Sequence, residues 1–522
     1  LVFGFLVRIF GIGYGLPMWL VADEPPFILG ALKMIELKTL IPALHAEEFR
    51  SVLYYPPYIS YLYLPFFALI IGIKFLLFSG SSADFINYLS IDLSSFFLMA
   101  RFLSVIFATL SIYLAYCVSK NIFKDELAAL ATSFFMSTSI LHILLSPVSR
   151  QWVFISFIYI LVLYFLSEPS YSFKKRYLLA VLTAGVGMGV SLISSISLFF
   201  VLLHFIFIEE KKISEIIRTK FPYLLCALFL CLFALPTILY PLSAGFTNDL
   251  FEVDPNPLAF FKFYLLAEPV FFAFIILGLI YLFIQSRRVF WPFSIFILIY
   301  YLIFYIIFRF EDRFILPLLS LFALLAGLGF KELFARSKLI TVLLAIPLIY
   351  SLHAGNLIYK NDSRVNMKEW VEQNIPAEAK IIVSARLMRL SPNPDAILEQ
   401  EALDPNSLRQ ADRSRLYFGK DRPGAEFHAL NINSVENEYL SDIEGYIKKN
   451  GYEYLIISES DYRKDQALHA RFMKIAEGGE LLAQFGQDSD FSVSESNLGR
   501  SLLEFFETKE LGPKVLLYRL KK

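Results

Sequence analysis

The sequence predicts a polytopic α-helical membrane protein with a C-terminal extracytoplasmic α/β domain, on three observations. The first is composition. Of 522 residues, 57% are hydrophobic and 17% aromatic, and only 18% are charged, whereas soluble domains carry about 25% charged residues. The second is the uneven spread of charge: about 30% of the last 167 residues are charged, against about 12% of the first 355. The third is a series of apolar runs close to the 20 residues a helix needs to cross a bilayer. A boundary at Gly355 therefore divides a membrane domain, 1–355, from a soluble domain, 356–522.

The net charge is zero, with 24 Lys/Arg against 20 Asp/Glu in the membrane part and 23 against 27 in the tail, so neither is a polyelectrolyte and nothing points to a nucleic-acid partner. Cys117, Cys226 and Cys231 all lie in apolar runs. The tail therefore holds no disulfide, and no cysteine-based metal site is expected. The chain opens inside an apolar run, which reads as an N-terminally truncated fragment with an incomplete first span rather than a cleaved signal peptide.

Eleven runs read as spans: 1–20, 94–118, 127–146, 152–166, 177–192, 195–208, 221–242, 269–284, 290–308, 314–330 and 339–352. A twelfth, 58–78, follows Tyr54-Tyr55-Pro56-Pro57. Lysines and arginines of short loops belong on the cytoplasmic side. The basic loops 120–124, 174–176, 211–220, 287–288 and 331–338 all fall there if 58–78 does not cross. That run is then an interfacial or re-entrant helix within a long first outer loop, 21–93, and the tail lies outside.

In the tail, 365–374 and 441–450 read as helices, and 380–384, 452–457 and 515–520 as strands. The stretch 390–415, with Pro392, Pro394 and Pro405, reads as a long loop. It carries no glycine fingerprint, nucleophile elbow or zinc motif.

Candidate chemistry gathers at the outer face. Asp23-Glu24 ends the first span, and two adjacent carboxylates there suit a general base or metal ligand; a polar collar on the helix is the plainer reading. Tyr54 and Tyr55 open the loop helix and are possible lining of a site. Arg150, after Ser149, and Arg313, after Glu311-Asp312, reach the same face from different helices. Arginine stays charged when desolvated and matches phosphate bidentately, so the two could clamp a lipid phosphate. Helix-end anchoring, or a local pair with Glu311, would explain them equally. Arg8 and Arg101 have weaker claims, one needing a partner within a span and the other free to snorkel.

Arg8, Gly15-Leu16-Pro17, Asp23-Glu24 and Tyr55-Pro56-Pro57, then Arg101-Phe102-Leu103-Ser104, Ser149-Arg150 and Arg313-Phe314-Ile315-Leu316-Pro317, follow one another in an order that resembles the GT-C glycosyltransferases. The resemblance is strongest to their protein-mannosyltransferase and aminoarabinose-transferase branch, and covers 1–330. It implies an inverting transfer of a sugar from a polyprenyl-phosphate donor to a protein, lipid or glycan acceptor at the outer face of the cell membrane. It also implies that Asp23, with Glu24 beside it, is the catalytic base, and that Arg150 and Arg313 hold the donor phosphate. Many relatives carry an aspartate soon after the second-loop arginine, whereas Arg150 is followed by Gln151-Trp152-Val153. No obligatory metal or cofactor is therefore expected. A transporter or lipid flippase is the alternative reading, but those folds show repeated halves with ionisable residues at the midplane, which this sequence lacks.

Overall fold

A computed structural model describes residues 1–522 except 51, 210–219, 241–258, 307–310, 419–425, 437–439, 441, 459–465, 488–490, 492, 494–497 and 522. Among the described residues six helices are long and apolar enough to cross a membrane: Tyr58–Leu77, Ser94–Phe123, Phe221–Leu239, Arg287–Phe304, Asp312–Phe334 and Lys338–Tyr359. Three shorter apolar helices accompany them. The chain is an integral membrane protein.

The first apolar run is not one span. Helix α1 (Val2–Ile9) stops after eight residues, and turns follow through 10–20. Gly11, Gly13, Gly15 and Pro17 account for the stop, since glycine weakens a helix and proline ends it. Gly15 sits at φ 70°, and a Cβ there would lie 2.9 Å from that of Leu20. The turn that delivers Asp23 therefore requires glycine.

Within 21–93 lie α2 (Pro25–Glu36), α3 (Tyr58–Leu77) and α4 (Ser82–Ile91). The bundle continues with α5 (Ser94–Phe123), α6 (Glu126–Thr138), α7 (Ile140–Leu145), α8 (Gln151–Ser167), α9 (Phe173–Gly187) and α10 (Ser197–Phe207). After these come α11 (Phe221–Leu239), α12 (Ala259–Ala267), α13 (Pro269–Gln285), α14 (Arg287–Ile306), α15 (Leu319–Phe334) and α16 (Ala345–Tyr359). The basic loop 211–220 lies almost wholly outside the described residues, as does most of the outer segment before α12.

Helix α15 is the centre of the bundle, buried from Leu319 to Phe330. Small residues permit this. A Cβ on Gly278 of α13 would fall 1.8 Å from the Leu325 carbonyl oxygen, and one on Gly327 would fall 2.1 Å from Thr132 Oγ1 of α6. Where lipid supplies no hydrophobic drive between helices, such close backbone approach is what holds them together.

The tail contains a five-stranded sheet in the order β2-β1-β3-β5-β4. Strands β1 (Lys380–Val383), β2 (His428–Asn431) and β3 (Tyr454–Ser458) are parallel, while β5 (Val515–Arg519) runs antiparallel between β3 and the edge strand β4 (Glu480–Phe485). The expected helices and strands are present, but the stretch 390–415 is not a loop. It holds α18 (Pro394–Leu403) and the start of α19 (Gln410–Phe418), after α17 (Ser363–Asn374). Pro394 begins a helix rather than breaking one: Asn393 caps it by accepting the Ala396 N–H, and proline suits the first turn.

The tail packs on the turns after α1 and on α4 of the first loop. Tyr14 O–H donates to Asp362 Oδ2 at 2.6 Å, Arg409 lies over Trp19, and Ser414 meets Asn87 of α4. Phe75 and Phe78, at the end of α3, pack on Phe85 of α4. Near its start, Tyr63 bonds Ser149.

One polar cluster ties the tail's helices to its sheet. Glu399 of α18 accepts from Tyr446 and Tyr452 at 2.5 and 2.8 Å and lies 2.5 Å from His428 Nε2 on β2. Burial pushes its carboxyl up, but these hydrogen bonds outweigh burial and hold it at about 2. A depressed folded value means the stabilisation is present above the unfolded value, about 4.3, and is lost as pH falls through the folded one. Glu399→Gln should therefore lower the melting temperature at pH 7. Scanning fluorimetry should show its gap to wild type closing between about pH 4 and pH 2; a gap independent of pH would exclude the ionic contribution.

Candidate functional site

Two adjacent acidic residues leave the turn after α1 and point to different partners. Glu24, wholly buried, receives Arg101 of α5 through Nε and Nη2, both at 2.6 Å, and the Ser149 N–H at 2.9 Å. Arg101 Nη1 also donates to the carbonyls of Ile12 and Tyr14 at 2.8 and 2.6 Å. Three hydrogen bonds fill most of the carboxylate's roughly four acceptor sites, and its complete burial keeps it from an acceptor. The expectation that Glu24 shares the catalytic role gives way to a clamp on the 12–14 turn, α5 and the Ser149 turn. Arg101 does not snorkel; it is as buried as its partner.

Asp23 faces the other way. Arg150 Nη2 lies 2.5 Å and Arg313 Nη1 2.8 Å from the same oxygen, Oδ2. Residues 127 and 290 positions away in sequence thus meet one carboxylate. Glu311 pairs with Arg313 Nε at 2.6 Å. Tyr55 hydrogen-bonds Asp23 and stacks on Phe27 of α2, and Tyr54 lies against Tyr55 with ring centroids 4.8 Å apart. Asp23, Arg150, Arg313, Glu311, Tyr54 and Tyr55 therefore form one cluster, while Arg101 pairs with Glu24 and Arg8 lies elsewhere in the bundle. The Asp23 side chain keeps 19% exposure, while Arg150 is 2% exposed. The carboxyl is thus more open than the arginine that holds it most closely, while Glu311 and Tyr54 at the rim are more exposed still.

Burial raises the Asp23 carboxyl, but the charges of Arg150 and Arg313, with the hydrogen bonds of Arg150 and Tyr55, hold it below the usual carboxylate range. Burial and the Asp23 charge push the Tyr54 phenol up to about 12 and the Tyr55 phenol higher still. Both tyrosines stay protonated, and Tyr55 hydrogen-bonds Asp23 as the phenol.

The sequence reading missed the tail's part. Arg150 Nη1 donates to the Val493 carbonyl at 3.4 Å, and Asp312 accepts the N–H groups of Leu498 and Gly499, both at 2.7 Å. Backbone contacts of this kind leave no side-chain signature. Trp152, two residues after Arg150, packs on Phe314 with ring centroids 4.9 Å apart. A separate groove of about 810 Å³ runs along α12 to α15, lined by apolar residues such as Phe272, Leu298 and Phe322, with Lys262 at its edge.

Residues 83–240, which include α5 and the Ser149-Arg150 turn, match the family model described as dolichyl-phosphate-mannose-protein mannosyltransferase. The matched stretch is less than a third of the chain, and the family it describes agrees with the GT-C glycosyltransferases that the motifs resemble. No curated protein sequence matches the chain. Among solved structures, ArnT from Cupriavidus metallidurans bound to undecaprenyl phosphate is 11% identical, over 99% of this chain and 96% of that one, with a TM-score of 0.46. The archaeal oligosaccharyltransferase AglB from Archaeoglobus fulgidus, in complex with an inhibitory peptide and a dolichol-phosphate, is 12% identical, over 92% and 72%, with a TM-score of 0.43. At these TM-scores the likeness is loose.

Removing one partner of a buried pair strands the other charge, at about 3–5 kcal/mol. Glu24→Ala and Arg101→Ala should each destabilise the detergent-solubilised protein by several kcal/mol. The double variant should be no worse than either single one. A double-mutant cycle on melting in which the two losses simply add would show that the pair is not coupled.

Proposed function

We propose that the protein is an inverting glycosyltransferase that moves a sugar from a polyprenyl-phosphate donor to an acceptor hydroxyl or amine at the outer face of the membrane. The observation that carries this is the meeting of Arg150 and Arg313 on Asp23. Two fixed guanidiniums suit a phosphate leaving group, and the carboxylate beside them suits the proton that the acceptor must lose. In the step itself, the acceptor atom forms a bond to the anomeric carbon as the carbon–oxygen bond to phosphate breaks. The electron pair leaves on the phosphate, held by the arginines, and the acceptor proton passes to Asp23. The family match over 83–240 agrees with a lipid-phosphate sugar donor. The groove along α12 to α15 offers an apolar bed for its chain.

The resting pairing makes Asp23 a weak base, because both arginines already neutralise it. In this proposal the donor phosphate competes for them. As the guanidiniums turn to phosphate and a second anion arrives, the Asp23 carboxyl rises towards a useful value. The acid limb of kcat, which reports the complex, should then have a higher apparent pKa than that of kcat/KM, which reports the free enzyme. Coincident limbs would mean that donor binding leaves the carboxylate untouched.

Asp23→Asn should lower transfer about 10²–10⁴-fold, the usual worth of a general base, with donor binding kept. Arg313→Ala should instead raise the donor KM. Chelation should leave the rate unchanged, since arginines supply the positive charge. Transfer by Asp23→Asn at the wild-type rate, measured with radiolabelled polyprenyl-phosphate sugars in membranes, would remove the base from this site.

The sidedness belongs to the same proposal: α3 lying at the interface, the basic loops on the cytoplasmic side, and the 356–522 domain outside. Support comes from α3, whose start meets the Ser149 turn and whose end packs through α4 towards the tail. In a background without native cysteines, Gly80→Cys and Lys449→Cys should label from outside, and Lys120→Cys only after permeabilisation. Outside labelling at 120 would overturn the orientation.

A further inference from the structure

Two buried ionisable residues of the bundle remain unexplained by the site, and both sit at one break in a helix. Helix α6 ends at Thr138, Ser139 is extended at φ −61° and ψ 125°, and α7 begins at Ile140. A break buried within a membrane bundle frees backbone groups that water cannot reach. Arg8 of α1 takes the carbonyls on the α6 side, donating through Nη1 to Ser137 at 3.1 Å and through Nη2 to Met136 at 3.2 Å. The same Nη2 lies 2.6 Å from Nδ1 of His142 on α7. On the other side Glu268, at the start of α13, accepts from Ser139 Oγ at 3.0 Å and from the Ile140 N–H. Arg8, His142 and Glu268 are all wholly buried.

Charges this deep are costly, and an unbroken helix through 126–145 would need neither. What the break achieves lies at the far end of α7. Ser146 bonds back to the His142 carbonyl, Ser104 donates to the Val148 carbonyl, Ser149 N–H reaches Glu24, and Arg150 follows at the head of α8. The direction of α7 thus sets where the Arg150 guanidinium stands. We propose that Arg8 and Glu268 are positioning residues for Arg150: by holding the α6–α7 break from its two sides they aim α7 so that this arginine meets Asp23 and the donor phosphate. The proposal rests on the reading of Arg150 as a phosphate ligand.

Because Glu268 acts through accepted hydrogen bonds, a neutral acceptor should replace it. Glu268→Gln should keep near-wild-type kinetics, whereas Glu268→Ala should lower kcat/KM for the donor about 10²-fold, the scale of a misplaced binding group, chiefly through KM. Arg8→Lys, which cannot span two carbonyls and His142, should behave like Glu268→Ala. A merely structural role would instead reduce the active fraction and so the apparent kcat, leaving KM alone.

Trp152, two residues beyond Arg150, gives a second readout that needs no transfer. With Trp19, Trp291 and Trp370 replaced by phenylalanine, its acrylamide quenching should rise in folded, monodisperse Glu268→Ala and not in Glu268→Gln. Unchanged donor KM and unchanged Trp152 quenching in Glu268→Ala would overturn the positioning role. Transfer from no donor by wild-type protein would instead sink the transferase reading, and the Trp152 signal would then decide the placement of the turn by itself.

Discussion

Glu24 and Arg101 meet without water, and the arrangement around Asp23 depends on that meeting. Stripping two charges of solvent is unfavourable unless the geometry is close and the remaining lone pairs are used. Here the pair is bidentate, and a third hydrogen bond comes from the Ser149 amide. The consequence follows from adjacency. Glu24 neighbours Asp23, and Ser149 neighbours Arg150. Fixing the Glu24 carboxylate to the Ser149 N–H brings the next residue on each strand of chain side by side, so the Asp23–Arg150 contact is set by a pair that takes no part in it. The carbonyls of Ile12 and Tyr14, held by the same guanidinium, fix the glycine-rich turn from which both carboxylates emerge.

Much of the candidate site was legible because a membrane restricts where charges can stand. Asp23, Arg150 and Arg313 each follow or precede an apolar run at what the basic loops mark as one face, and residues confined to one face of a bundle have few places to go. The roles of Asp23 and Glu24 were not separable in the same way. Which of two neighbouring carboxylates turns to solvent depends on the backbone direction at the turn, and that is set by Gly15 and by Arg101, 77 residues from Glu24. Arg101 itself looked like a snorkelling residue, since an arginine near a span end reads alike whether it turns to water or to a distant acid.

The fold shows the same division. Long apolar helices such as α5 were plain from hydropathy, but the first run failed where its glycines crowd together. The stretch 390–415 was misread because proline marks helix starts as well as loops, and only the Asn393 cap tells them apart. Glu268 gave no signal, since its partners are a backbone amide and a serine whose relevance exists only once the helix has broken.

The Val493 carbonyl on Arg150 and the two tail amides on Asp312 join the soluble part to the charged cluster through groups every sequence possesses. Thermodynamic linkage then runs both ways. Whatever ligand or neighbour favours the seated position of that segment alters the free energy of every event that moves Arg150, and every event that moves Arg150 alters the affinity for that ligand by the same factor. The tail is in this sense a second handle on one equilibrium. Because its grip is made by main-chain atoms, side chains along it can drift in evolution, and what the tail responds to can change while the connection to the membrane site persists.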